Sequence, residues 1–157
     1  MTTNVLIAID GSDQRHAVID LAARYLSPSR HALKVLLAVD PSFSLKSEND
    51  HIARADEVEY PAASEQQHAA NRLIKSACDT FQAAGFQVQG ALVQGEPADV
   101  IVNRAHALAC DLIVMGHRHL NWFGKVFDPS VSARVLDAAR CPVLIQTRST
   151  ADATAEK

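Results

Sequence analysis

The chain has 157 residues, 48% of them hydrophobic, which is enough for the core of one domain. Its formal net charge of −3 comes from intermixed acids and bases, without the basic stripe that nucleic-acid binding requires. The apolar run from Val5 to Ile9 is too short for a signal peptide or a membrane span. We therefore expect one cytoplasmic domain with neither nucleic acid nor membrane as a partner.

Five short apolar runs alternate with helical patterns, so each run predicts a strand and each pattern a crossover helix. The first helix ends before Pro28, and the second covers 62–84. The third begins at Pro97 and closes at Cys110-Asp111, and the fourth begins near Pro129. The predicted strands are 4–10, 32–39, 87–94, 112–115 and 142–146.

This alternation, with short links, predicts an α/β fold with a doubly wound, Rossmann-like, five-stranded parallel sheet. We expect the strand order 3-2-1-4-5, with helices on both faces. The domain is expected to span residues 1–147, with 41–61 as a surface loop insertion and 148–157 as a flexible tail.

The three cysteines, Cys78, Cys110 and Cys141, are widely spaced and lie among apolar or helical neighbours. Their odd number and their spacing are unlike a disulfide framework and favour reduced, buried thiols. A redox role for Cys141 is less favoured, because this residue leads into an apolar strand beside Pro142.

Two residues that follow predicted strands, Asp10 and Gly116, are the first candidates for a binding site. In a doubly wound sheet, ligands bind beyond the carboxyl ends of the strands, where the strand order reverses. Asp10 could hold a ribose hydroxyl or a magnesium ion, but an Asp in an Asp-Gly-Ser turn is also an ordinary helix cap. The sequence leaves both roles open.

Catalytic and metal chemistry are not indicated by the sequence. No nucleophile with a nearby base is recognisable, and no paired carboxylates stand at a helical spacing that suggests hydrolysis. His117 and His119 have no third fixed ligand, so we expect no metal site.

The segment from Asp111 to Ile145 contains a motif with specific spacing. Gly116 is followed by two residues, His119, nine residues, and then Pro129 and Ser130. This layout resembles the signature of the universal stress protein family, in which the fourth strand is followed by Gly, two residues, Gly, nine residues, and Gly-Ser or Gly-Thr. The runs 95–98 and 141–144 also match that family's pattern, so the resemblance spans most of the chain.

Members of that family with the intact motif bind ATP, so the resemblance implies an adenine-nucleotide site at the strand ends and the start of the fourth helix. Amides and hydroxyls around the glycines hold the phosphates there, and a helix N-terminus favours such an anion. The implied ligand is ATP or AMP with Mg²⁺. The implied binding residues are Ala8, Ile9, Asp10, Val39, Met115, Gly116, Arg118, His119, Ser130, Val131 and Ser132.

Two of the motif's three glycines are replaced in this chain, by His119 and Pro129. A proline has no amide proton, so Pro129 cannot donate the hydrogen bond that a glycine there could make. Asp128 can cap the fourth helix and place its carboxylate where a phosphate would bind. Family members that lack the glycines form a branch regarded as not binding ATP, and the aromatic pair Trp122-Phe123 after Gly116 resembles that branch.

We therefore expect a homodimeric regulatory or binding protein of the stress-response type, not an enzyme, with an impaired nucleotide pocket and an unidentified protein partner. The alternative is a functional ATP or AMP binder with slow hydrolysis, in which His119 and the amides of residues 130–132 replace the glycine contacts. The resemblance implies dimerisation through the last strand, from Pro142 to Gln146, and an uncovered apolar edge strand needs a partner.

Overall fold

The computed structural model describes residues 1–39, 65–117 and 130–147. The predicted insertion, the predicted tail, Arg118, His119 and Pro129 lie outside these ranges. In chain order, the elements are β1 Thr3–Ile9, α1 Gln14–Tyr25, β2 His31–Val39, α2 Glu65–Ala83, β3 Gln87–Gln94, α3 Pro97–Ala107, β4 Cys110–Gly116, α4 Ser130–Ala138 and β5 Val143–Gln146.

The strands form one parallel sheet in the order β3-β2-β1-β4-β5, which confirms the predicted α/β fold and strand order. The central strand β1 is apolar on both faces because helices cover both sides. Val5 and Ile7 belong to a core cluster that includes residues of α1 and α2. Leu6 and Ala8 point the other way, into a cluster that includes residues of α3 and α4, which we call the α3/α4 cluster.

The boundary between α3 and β4 differs from the prediction. Helix α3 ends at Ala107 and β4 begins at Cys110, so Cys110 and Asp111 belong to the strand and do not close the helix. Ala109, with φ of 49°, reverses the chain direction in the left-handed region. A glycine or asparagine at this position would have predicted the end of the helix, whereas an alanine gives no such signal.

Strand β1 also ends one residue earlier than predicted, at Ile9, so Asp10 lies just beyond the sheet. Gly85, the predicted C-cap of α2, has φ of 95°, and its neighbour Phe86 donates its amide to the carbonyl of Phe81 at 3.0 Å. Within the described ranges, no helix is both long and apolar enough to cross a membrane.

Candidate functional site

A cleft lies at the carboxyl end of the sheet, where the strand order reverses between β1 and β4. Strands β1, β2 and β4 and helices α3 and α4 all contribute to its wall, which is mainly apolar. Its lining residues are Ala8, Ile9, Asp10, Leu36, Ala38, Pro97, Ile101, Met115 and Val131. Five of these were predicted as site residues: Ala8, Ile9, Asp10, Met115 and Val131.

Asp10 is the ionisable residue among the described residues of this lining, and its side chain organises the turn from β1 to α1. The residue is 7% exposed, and its Oδ1 atom accepts hydrogen bonds from the amide and the hydroxyl of Ser12, at 2.8 and 2.5 Å. The Ser12 hydroxyl in turn accepts from the amide of Gln14, the first residue of α1, at 3.3 Å. Asp10 therefore shapes the turn, while Ser12 provides the direct contact with the helix start.

The start of α4 is tied to the end of β4 by a hydrogen bond between side chains. The Nδ1 atom of His117 lies 2.9 Å from the Oγ atom of Ser132, which is 1% exposed. The amide of His117 also donates to the carbonyl of Gln146, at the end of β5, at 3.0 Å. His117 was not among the predicted nucleotide contacts, although its place directly after Gly116 was a signal that could have identified it.

The starts of α3 and α4 are joined by a charged network that sequence reasoning missed. Glu96 caps α3 by accepting from the amide of Asp99 at 3.0 Å, and it also receives the guanidinium of Arg134 at 2.6 Å. Arg134 lies 3.8 Å from Asp99 as well. Both helix starts border the cleft, through Pro97 and Val131, so this network fixes two of its walls relative to each other.

Three other predicted site residues occupy different surroundings. Val39 ends β2, but its carbonyl accepts from the amide of Gly95 at 2.9 Å, and its side chain packs on the core cluster with α1 and α2. It is not among the residues that line the cleft. Gly116 is buried at the end of β4, beside Met115, and Ser130 is the first residue of α4.

These features suit a ligand with an apolar part and an anionic part. Apolar walls favour a flat or aliphatic group, a buried carboxylate accepts from hydroxyls, and the N-terminus of α4 favours negative charge. Among the described residues, no group of three or more His, Cys, Asp or Glu side chains is placed to hold a metal ion.

Residues 1–146 match the model of the universal stress protein family. The chain is 27% identical over 150 residues to universal stress protein YxiE of Bacillus subtilis. That alignment covers 92% of this chain and 99% of the relative. A universal stress protein solved in complex with cAMP aligns with a TM-score of 0.67 and 26% identity, over 94% of this chain and 98% of that chain. The universal stress protein from Archaeoglobus fulgidus in complex with dAMP aligns with a TM-score of 0.62 and 21% identity, over 92% and 97% of the two chains.

Proposed function

Because the chain belongs to the universal stress protein family, we propose that it is a homodimeric regulatory binding protein of the stress response with an impaired adenine-nucleotide pocket. The observation that supports this best is the convergence of Asp10, Met115 and Val131 on one cleft at the reversal of strand order. The ligand class is supported by the two similar structures that hold cAMP and dAMP.

The nucleoside part of the site is retained in this proposal. Ala8, Ile101 and Met115 form the apolar base of the cleft, which has a volume of about 20 Å³, so the adenine base would have to widen it on binding. The buried Asp10 carboxylate is the group that would accept from a ribose hydroxyl. The Oδ1 atom of Asp10 is held by Ser12, so the carboxylate is already oriented before a ligand arrives.

The phosphate part of the site is the weakened one. Pro129 lacks the amide proton of the glycine that the family motif has at this position, and His119 adds a side chain where the motif has none. The hydroxyl of Ser132 is engaged by His117. Loss of one donor costs about 1 to 3 kcal/mol, which corresponds to a roughly 5- to 150-fold weaker affinity. A triphosphate should suffer more than a monophosphate, because more of its contacts involve this segment.

We propose binding without catalysis. Among the described residues that line the cleft, Asp10 is the only ionisable one, and its Oδ1 atom is held by the turn at Ser12, which favours a binding role for its carboxylate. Regulation through a nucleotide-dependent partner contact is the role that such a site supports.

Calorimetric titration of the purified protein with MgATP, AMP and cAMP tests the impairment directly. The double variant His119→Gly with Pro129→Gly restores the motif and is expected to bind MgATP at least 10-fold more tightly than the unmodified chain, with a smaller gain for AMP. Pro28→Gly, in an exposed turn far from the cleft, is the matched control and should leave both affinities unchanged.

Three results distinguish an impaired nucleotide pocket from a functional ATP-binding site and test whether the cleft is the site. Micromolar MgATP binding by the unmodified chain, unimproved by the restored glycines, would support a functional ATP binder instead. Failure of the restored variant to bind any adenine nucleotide would contradict the site itself. If the cleft is the site, Asp10→Ala weakens AMP and MgATP alike, because Asp10 belongs to the nucleoside part.

The proposed homodimer forms through β5. In the described sheet this strand lies at the edge and pairs with β4. Its apolar residues Val143, Leu144 and Ile145 are half-buried. An apolar edge with unpaired backbone groups favours pairing with a second copy of the same strand.

A further inference from the structure

Two of the three cysteines lie together at the amino end of the sheet, opposite the nucleotide cleft. Cys110 is the first residue of β4, and Cys141 lies two residues before β5. Both pack against the α3/α4 cluster, so their side chains are on the same face of the sheet. Cys78 belongs to the cluster on the other face.

The pairing of β4 with β5 places Cys141 beside the start of β4. Ile113 pairs with Val143, and the amide of Ile113 donates to the carbonyl of Pro142, the residue after Cys141, at 3.0 Å. In the pairing of β4 with β1, Asn4 pairs with Cys110 and Val5 with Leu112, so an irregularity at Asp111 brings Cys110 onto the same face as Ile113, where Cys141 also packs. Disulfides span Cα distances of roughly 4.4 to 6.8 Å.

A cavity of about 200 Å³ gives access to the pair. Both cysteines line it, together with His106 of α3 and Arg140 before β5. Cys141 is half-buried and Cys110 is 9% exposed, so Cys141 is the thiol that a small reactant meets first. The positive charge of Arg140 favours a reactant that carries carboxylates.

The electrostatics of the two thiols agree with this proximity. The pKa of Cys110 is raised to about 11, mainly by burial and next by the neighbouring Cys141, while Lys34 lowers it and Asp111 adds a smaller raising effect. Burial and Asp111 also raise the pKa of Cys141. Both thiols are therefore protonated at neutral pH, so exchange with a disulfide is slow there and becomes faster as the pH rises toward their pKa values.

We propose that Cys110 and Cys141 are a reversible redox pair that forms an intramolecular disulfide by exchange with a low-molecular-weight disulfide such as oxidised glutathione. The Cys141 thiolate attacks one sulfur of the small disulfide, which releases one small thiolate and leaves a mixed disulfide. The Cys110 thiolate then attacks Sγ of Cys141 and displaces the second small thiolate. The protein loses two electrons and two protons, and the small disulfide gains them as two thiols.

The bond would close a chain segment that contains the whole nucleotide motif. Residues 110–141 include β4, residues 118–129 and α4, so the disulfide would tie the start of this segment to its end. Such a closure restricts the unfolded chain and fixes the amino ends of β4 and β5 relative to each other. The site is separate from the cleft, and its test does not depend on nucleotide binding.

The experiment is equilibration of the protein in glutathione buffers of graded potential, followed by alkylation, digestion without reductant and mass spectrometry. We expect a linked pair of peptides containing Cys110 and Cys141, which disappears in Cys110→Ser and in Cys141→Ser. Cys78→Ser is the matched control and should retain the link. Circular dichroism of each variant establishes that it is folded.

Two results would overturn the proposal. One is a mixed disulfide of glutathione at Cys141 that persists while Cys110 stays alkylatable, since the second exchange step would then not occur. The other is a disulfide between two copies of the chain, which non-reducing electrophoresis separates from an intramolecular bond. Slower formation of the link at pH 7 than at pH 9 is expected, because the thiolate form is the attacking one.

Discussion

The Nδ1 atom of His117 lies 2.9 Å from the Oγ atom of Ser132, and this hydrogen bond joins the two structural elements that flank residues 118–129. His117 follows the last residue of β4, and Ser132 lies in the first turn of α4. The bond therefore sets the separation of the two ends of the nucleotide motif.

We predict that His117 and Ser132 are energetically coupled. In a double-mutant cycle of His117→Ala and Ser132→Ala, measured by urea unfolding, the coupling should be about 0.5 to 1.5 kcal/mol, the usual net value of such a bond. His16, an exposed histidine of α1, is the control, and His16→Ala should show no coupling to Ser132→Ala. Additive single effects at positions 117 and 132 would contradict the bond.

A second prediction concerns Gly90, where β3 passes directly under α2. A Cβ atom at this position would overlap Cγ2 of Ile74 and lie 3.0 Å from Sγ of Cys78. Gly90→Ala should therefore lower the free energy of unfolding by about 1 to 3 kcal/mol, the usual range for overpacking. Ile74→Ala should reduce this penalty in the double variant, while Gln87→Ala on the same strand should cost little. If Gly90→Ala unfolds like the unmodified chain, the close contact of α2 with β3 is wrong.

The network of Glu96, Asp99 and Arg134 leads to a third prediction, about how α3 and α4 are held together. The ion pair of Arg134 with Glu96 is about half exposed, so Arg134→Ala should lower the free energy of unfolding by no more than about 1 kcal/mol. The loss should still exceed that of Lys75→Ala, which breaks an exposed pair with Asp79 within a single helix. Equal losses in thermal unfolding would show that the link between the two helices adds nothing beyond a local pair.

The fold was largely predictable from the sequence because its elements depend on local patterns. Apolar runs of four to nine residues alternate with helical periodicity, and Pro97 and Gly85 mark a helix start and a helix end by their backbone chemistry. The boundary at Ala109 was not predictable, because an alanine with positive φ has no local signal and is held by its surroundings.

The site was predictable where it depends on strand ends and not where it depends on packing. Asp10 was predicted because ligands bind where the strand order of such a sheet reverses, and Met115 was predicted from the family resemblance; both line the cleft. The contact of Arg134 with Glu96 joins residues 38 positions apart, and it exists because α3 docks beside α4. Val39 was placed at the site by family resemblance, but its side chain turns to the other face of the sheet.

A fourth prediction follows from the raised pKa of Cys110. Its pKa in the folded protein is about 11, against an ordinary value of 9.0, so the fold favours the protonated thiol. This contribution to stability is fully present below pH 9 and is lost as the pH rises through 11. The free energy of unfolding should therefore fall more steeply from pH 9 to 11 in the unmodified chain than in Cys110→Ala. Val135→Ala, a core truncation without a titrating group, should keep the steeper dependence.

The last prediction tests dimerisation through β5. The carbonyls of Pro142 and Gln146 accept from the amides of Ile113 and His117, so the alternate residue Ile145 directs its amide away from β4. Ile145→Pro therefore removes a donor from the free edge while it spares the pairing with β4.

In sedimentation equilibrium at micromolar concentration, the unmodified chain should be a dimer and Ile145→Pro a monomer of unchanged helical content. Tyr25→Ala removes a side chain that is 65% exposed at the end of α1, and it should leave the dimer intact. A monomeric unmodified chain would contradict the dimer. A dimer that survives Ile145→Pro and dissociates in Tyr25→Ala would place the interface on α1, because the exposed apolar surface there would then be the contact.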